Sequence, residues 1–187
     1  MNVPDLHRRS LDEFGKRVVA IPEDGWRSPT PNPQWDVRAL VHHLVDENRW
    51  TPPLLAGSTI DEVGDRFSGD LLGDDPVGAW DDSSRQAALA VQEDGAMERT
   101  VHLSFGDVSG EEYALQLFGD HLIHAWDLAR AIGVDEGLDP ELVTACSKWF
   151  ADREDLYRAS GAIGERPDVA PEAGPQTALL AMYGRKV

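Results

Sequence analysis

A chain of 187 residues has room for one well-buried domain, and a hydrophobic share of 41% with six Trp suits a packed core rather than disorder. The net charge of −17 is spread along the chain, which excludes a nucleic-acid partner or an anionic membrane surface, since both need clustered Lys and Arg. Cys146 is the single cysteine, so a disulfide framework is excluded; with no apolar run or leader in sight, a cytoplasmic protein is expected.

A first helix is predicted over about 3–20, with Leu6, Leu11, Phe14, Val18 and Ile21 near helical spacing. Pro22 ends it, and the Pro- and Gly-rich stretch IPEDGWRSPTPNPQ reads as an extended loop. The second helix opens with Asp36 as N-cap and a staple between Trp35 and Leu40. Val37, Leu40, Val41, Leu44 and Val45 give its apolar face; it is expected to stop before Pro52-Pro53, or to kink there and reach Gly57.

An acidic, Gly-rich stretch follows, with one helical turn expected around 61–67. A third helix is predicted over 76–94 with Val77, Trp80, Ala87 and Val91 inward. The alternation of residues 99–105 is the one strand signal, ended by Gly106-Asp107. Ser109 and Glu112 read as a capping box opening a fourth, central helix that Gly133 stops. Asp139 and Pro140 open a fifth, whose inward face takes Leu142, Cys146, Trp149, Phe150 and Tyr157. A loop-rich tail closes with a short helical turn in QTALLAMYGR. The expectation is a mainly α, up-down four-helix bundle in one domain, with one short β element and an additional C-terminal helix. Its core spans about 1–135, and the C-terminal helix and tail span 139–187.

Two of these helices carry metal-capable side chains one turn apart. His43 and Glu47 are spaced i, i+4 on the second; Asp120 and His124 are spaced i, i+4 on the fourth, with Asp127 a turn further on. A helix fixes such a pair on one face, and one imidazole from a facing helix completes two histidines and a carboxylate with coordination positions left open. His42 shares its side with Asp46 and Arg49 and is expected to face solvent. Asp127 can hold His124 from behind or pair with Arg130 on the surface. Glu47 can steady His43 or act as the catalytic general base. Trp50, Trp126 and Arg130 are candidates to line a substrate pocket, with the core as the alternative for Trp126. Cys146 is expected in the core, His102 in solvent, and His7 without a role.

The stretches WDVRALVHHLVDENRW and GDHLIHAWDLARAIG resemble the signature of the mycothiol-dependent maleylpyruvate isomerase family, within the DinB/YfiT-like helical bundles; PQTALLAMYGR resembles the end of its single-domain members. The resemblance implies metal ligands at His43, Asp120 and His124. The isomerase has Glu where this chain has the shorter Asp120, and the neighbouring His121 lies roughly 100° further round the helix. It also implies a divalent metal, zinc before nickel or iron(II), and mycothiol as a cosubstrate thiol. The expected function is metal-dependent S-transfer to, or thiol-assisted isomerisation of, a small electrophile. The isomerase's second domain has no counterpart here, so its substrate does not carry over. A metal-dependent hydrolase with Glu47 as base, and a non-catalytic homodimer binding a metal or small ligand, are the alternatives.

Overall fold

A computed structural model of the protein describes residues 2–187. Among them run eight α-helices: α1 (Val3–Val18), α2 (Val37–Leu55), α3 (Ile60–Val63), α4 (Pro76–Gln92), α5 (Gly110–Ile132), α6 (Pro140–Phe150), α7 (Glu154–Ala159) and α8 (Pro175–Met182). One antiparallel hairpin, β1 (Thr100–Leu103) with β2 (Gly106–Ser109), links α4 to α5. The fold is mainly α, as expected. α1 packs along α5 and α2 along α4, with further contacts between α1 and α4 and between α2 and α5. The order of neighbours round the bundle is therefore α1, α4, α2, α5.

Local hydrogen bonds explain most helix starts. The side chains of Asn2, Asp36, Thr59, Asp75, Ser109 and Asp139 each accept a backbone N–H of the first turn that follows. The expected box at Ser109 is half formed. Ser109 accepts from the Glu112 N–H at 3.1 Å, but the Glu112 carboxylate turns outward to accept from Arg153 at 2.6 and 2.8 Å. Gly133 closes α5 in the left-handed region at φ 71°.

Several expectations are corrected. α1 ends at Val18 rather than Ala20, because Ala20 and Ile21 donate to Arg17 and Val18, three residues back, as Pro22 approaches. Of the two expected courses for α2, the helix takes the longer, continuing past Pro52 and Pro53 to Leu55, short of Gly57. So near the end of a helix their missing donors cost only two bonds, and Ala56 and Ser58 still donate to their carbonyls. The strand signal at 99–105 is half of a hairpin: Ser104-Phe105 is the turn, and the polar GDVS returns as β2. The fifth predicted helix is two, since α6 ends at Phe150 and Tyr157 sits on the separate α7. On α4, Trp80, Ala87 and Val91 are buried as expected, whereas Val77 is exposed.

The main core takes Phe14 and Val18 from α1, Leu40, Val41 and Leu44 from α2, and Phe118, Leu122, Trp126 and Leu128 from α5. Burying each such side chain contributes about 1.5–3 kcal/mol. The same cluster continues into Leu142, Phe150, Leu179 and Tyr183, so the chain after 139 is sealed onto α5 by apolar packing. No helix is long and apolar enough to cross a membrane among the described residues.

Candidate metal centre

His43 and Asp120 face each other across the α2–α5 contact. α2 is held in register by its buried stripe Leu40, Val41, Leu44, Val45 and Asn48, which leaves His43 on the edge of the buried face beside α5. α5 is buried on several sides over 121–129, and Asp120 and His124 share the flank that meets α2. His43 Nε2 donates to Asp120 Oδ2 at 3.0 Å, and His124 Nε2 lies 3.3 Å from Asp120 Oδ1. One donor atom from each of the three residues lies within 4.8 Å of the others.

That donor set fits a divalent ion. Bonds of about 2.0–2.2 Å to nitrogen and oxygen place neighbouring donors roughly 3.3 Å apart round a tetrahedral ion. The short side chain of Asp120 reaches far enough to touch both imidazoles. The two rings stand edge to face, with centroids 5.4 Å apart at 80°. Trp35 lies against both, at 4.7 Å from His43 and 5.5 Å from His124.

Charge binds the cluster together. Burial works against the His124 imidazolium, but Asp120 and Asp127 outweigh it and raise its pKa to about 9. His43 is raised too: burial opposes, and the charge and hydrogen bond of Asp120 prevail. Burial would lift Asp120, yet the two imidazoliums hold it well below the usual carboxylate range. For Glu47, burial dominates and lifts the carboxyl to about 7, with His43 pulling the other way.

Behind His124, Asp127 resolves in favour of the imidazole rather than Arg130. His124 Nδ1 donates to Asp127 Oδ2 at 2.8 Å, and Asp127 is 1% exposed. Its cation is Arg185, from the segment after α8, which donates Nε to Oδ1 at 3.0 Å and Nη2 to Oδ2 at 2.7 Å. Arg130 instead pairs with Glu136 at 3.1 Å.

The remaining residues singled out from sequence are spread out. His121 is fully buried with Nε2 3.1 Å from Asn48 Oδ1, so it points away from the triad. His42 lies 2.9 Å from the Gly69 carbonyl, and His102 donates to Asp107 across the hairpin. Cys146 is core, its thiol pushed up to about 12 by burial. Of the two readings open for Trp126, the structure places it in the core at 0% exposure, with Arg130 over its ring at 5.2 Å. Trp50 donates to Asp46 and meets Phe67. Arg130 lines a cleft of about 630 Å³ with Ser28, Pro29, Arg185 and Lys186, and none of the triad lines it.

Three residues were missed. Trp35 is the staple of α2 and, eight positions before His43, opens the stretch that carries the family resemblance, but no local signal gives its contact with both imidazoles. Arg185 had no signal, since 58 residues separate it from Asp127. His7 was given no role, yet it is fully buried, at the spacing of Ser10, Leu11 and Phe14 on α1.

A helical bundle holding two imidazoles and a carboxylate on facing helices defines a candidate metalloprotein of the bundle class. The chain belongs to the mycothiol maleylpyruvate isomerase N-terminal domain family, whose model matches residues 7–129. It is 32% identical to the uncharacterized protein Rv0738 of Mycobacterium tuberculosis (strain H37Rv), over 97% of this chain and 96% of that one. A shorter likeness, 30% identical over 46% of this chain and 32% of the other, links it to the uncharacterized protein Rv0036c of the same strain. No solved structure matches the chain.

Proposed function

We propose that this protein is a divalent-metal-dependent enzyme that uses a low-molecular-weight thiol, mycothiol or a near relative, to transfer sulfur to a small electrophile or to isomerise it. The observation that carries this reading is the convergence of His43, Asp120 and His124 within the matched family domain. Zinc is the first expectation, and nickel and iron(II) suit the same donors. When bound, such an ion supplies a Lewis-acid centre that lowers a thiol's pKa.

The chain's own residues do the rest. His43 and His124 offer Nε2, and Asp120 a carboxylate, from two helices fixed by core packing. Asp127 keeps the His124 Nδ1 proton in place, so that Nε2 is the nitrogen left for the site. Glu47, one turn from His43 on α2, accepts the thiol proton, its carboxyl lifted by burial above the ordinary range. Trp35 covers one side of the two imidazoles. Cys146 is sealed in the core, so the reacting sulfur arrives with the cosubstrate. Cytoplasm is the compartment where such thiols stay reduced.

A hydrolase with Glu47 drawing a proton from water rests on the same raised carboxyl. Conjugation of an electrophilic aromatic dye, run with mycothiol, with glutathione and without thiol, separates the two. Mycothiol-dependent turnover supports the transferase reading, and turnover that ignores thiol overturns it.

A further inference from the structure

We propose that Arg185, from the segment after α8, is a positioning residue for the metal site, acting through Asp127 on His124. This rests on the reading of His43, Asp120 and His124 as metal ligands, and it lies outside the residues 7–129 that the family model matches.

Asp127 is a carboxylate with 1% of its side chain exposed, and an unpaired charge at that depth is strongly unfavourable. The nearest cation on its own helix, Arg130, is 43% exposed and turned to Glu136. Arg185 takes its place as a two-pronged clamp. Nη2 and the His124 Nδ1 share Oδ2, at 2.7 and 2.8 Å, while Nε takes Oδ1 at 3.0 Å. The clamp fixes the carboxylate plane and so the direction in which Oδ2 receives the imidazole proton. Arg185 is itself tied down, since Nη1 donates to the Tyr183 carbonyl at 3.0 Å, and Tyr183 stacks on Phe150 at 3.9 Å. An unbroken run of contacts therefore leads from the apolar seat of the C-terminal segment through Arg185, Asp127 and His124 to Asp120 and His43.

A residue that merely anchored the tail would leave the ring of His124 indifferent to it. A positioning residue sets both the ring's hydrogen bond and its affinity for the ion. Outer partners of a ligating imidazole typically contribute 10–100-fold in metal affinity. Arg185→Lys keeps the charge but loses the planar fork, which makes it the milder variant.

The test is a Co(II) titration of metal-free protein, read by the ligand-field absorption of the bound ion and by competition with a chelator. It covers wild type, Arg185→Ala, Arg185→Lys, Asp127→Asn and the Asp127→Asn/Arg185→Ala double variant. The expected results are a loss of affinity of about tenfold for Arg185→Ala and a smaller one for Arg185→Lys. The double variant should be no weaker than the weaker single, because both act on one bond. In metal-free protein, the His124 Nδ1–H resonance in ¹⁵N-edited NMR should persist in wild type and broaden in Arg185→Ala. Affinity and resonance unchanged in Arg185→Ala, or losses that add in the double variant, overturn the proposal while leaving the metal site standing. Wild type that takes up no Co(II), or His43→Ala that takes it up equally well, removes the metal-site reading itself. Should Arg185→Ala fail to fold, Arg185→Lys and the resonance decide the matter alone.

Discussion

His43 and His124 meet edge to face across the α2–α5 contact, their ring centroids 5.4 Å apart, with the Asp120 carboxylate between their Nε2 atoms. Two imidazoles that each touch one carboxylate make a set in which a cation can replace the protons holding it together.

Metal analysis of purified protein should therefore find about one divalent ion per chain, lost in a His43→Ala/His124→Ala variant. Adding the ion to metal-free wild type should raise its unfolding free energy by about 2.7 kcal/mol at a hundred times the dissociation constant, and a chelator should reverse this. Equal metal content in the two proteins would remove the site.

Glu47→Gln should leave metal uptake intact and reduce turnover by about 10²–10⁴-fold. With the carboxyl lifted to about 7 in the metal-free protein, the base form gains as pH rises through that value. A bound cation would pull the value lower. The rising limb of the pH–rate profile should thus lie at or below pH 7 and vanish in Glu47→Gln. A limb retained by the variant would give the proton to another group.

His7 is buried without a hydrogen-bond partner for either ring nitrogen among the described residues, and burial, with the charge of His121 adding, holds its pKa well below 6.5. The fold keeps this imidazole neutral, while the unfolded chain protonates it below 6.5. Its contribution is therefore present above that pH and lost as pH falls. Urea unfolding at pH 7, 6 and 5 should show stability dropping by up to about 1.4 kcal/mol per unit from this group, with a shallower drop in His7→Leu. Equal slopes would assign the acid sensitivity elsewhere.

Trp126→Ala should cost about 3–5 kcal/mol of stability through the cavity it opens in α5, rather than selectively weakening substrate binding. Thermal unfolding beside KM separates the two. A stable variant with raised KM would return Trp126 to the pocket.

Gly119→Ala should destabilise by about 1–3 kcal/mol. A methyl group there would meet the Tyr183 hydroxyl at 2.7 Å and the Trp149 ring at 3.0 Å. Tyr183 has little room to yield, being stacked on Phe150 and in contact with Cys146. A variant as stable as wild type would mean that the C-terminal segment shifts freely over α5.

Local chemistry made much of this molecule legible in advance. Asp36, Ser109 and the Asp139-Pro140 pair announce their helices, because a cap satisfies donors within three residues of itself. The i, i+4 pair Asp120 and His124 is likewise a local fact. What escaped was set by tertiary neighbours. β2 carries one apolar residue, Val108, and forms because β1 lies beside it. Pro52 and Pro53 break helices in general but sit here within the last turn. The partner of Asp127 comes from 58 residues away, which no spacing rule reaches. The burial of His7 is legible locally, because a helical wheel puts it on the face of α1 that carries Leu11 and Phe14.

Trp35 gives the molecule an optical consequence of its own. Its indole rests within 4.7 Å of one imidazole and 5.5 Å of the other, and protonated imidazoles and many transition ions quench indole emission. The chain thus carries a label at its own site, and the difference spectrum between wild type and Trp35→Phe isolates that label from the other five indoles. If the proposed site takes up an open-shell ion such as Co(II), its arrival should be timed by stopped-flow light emission from the unmodified polypeptide.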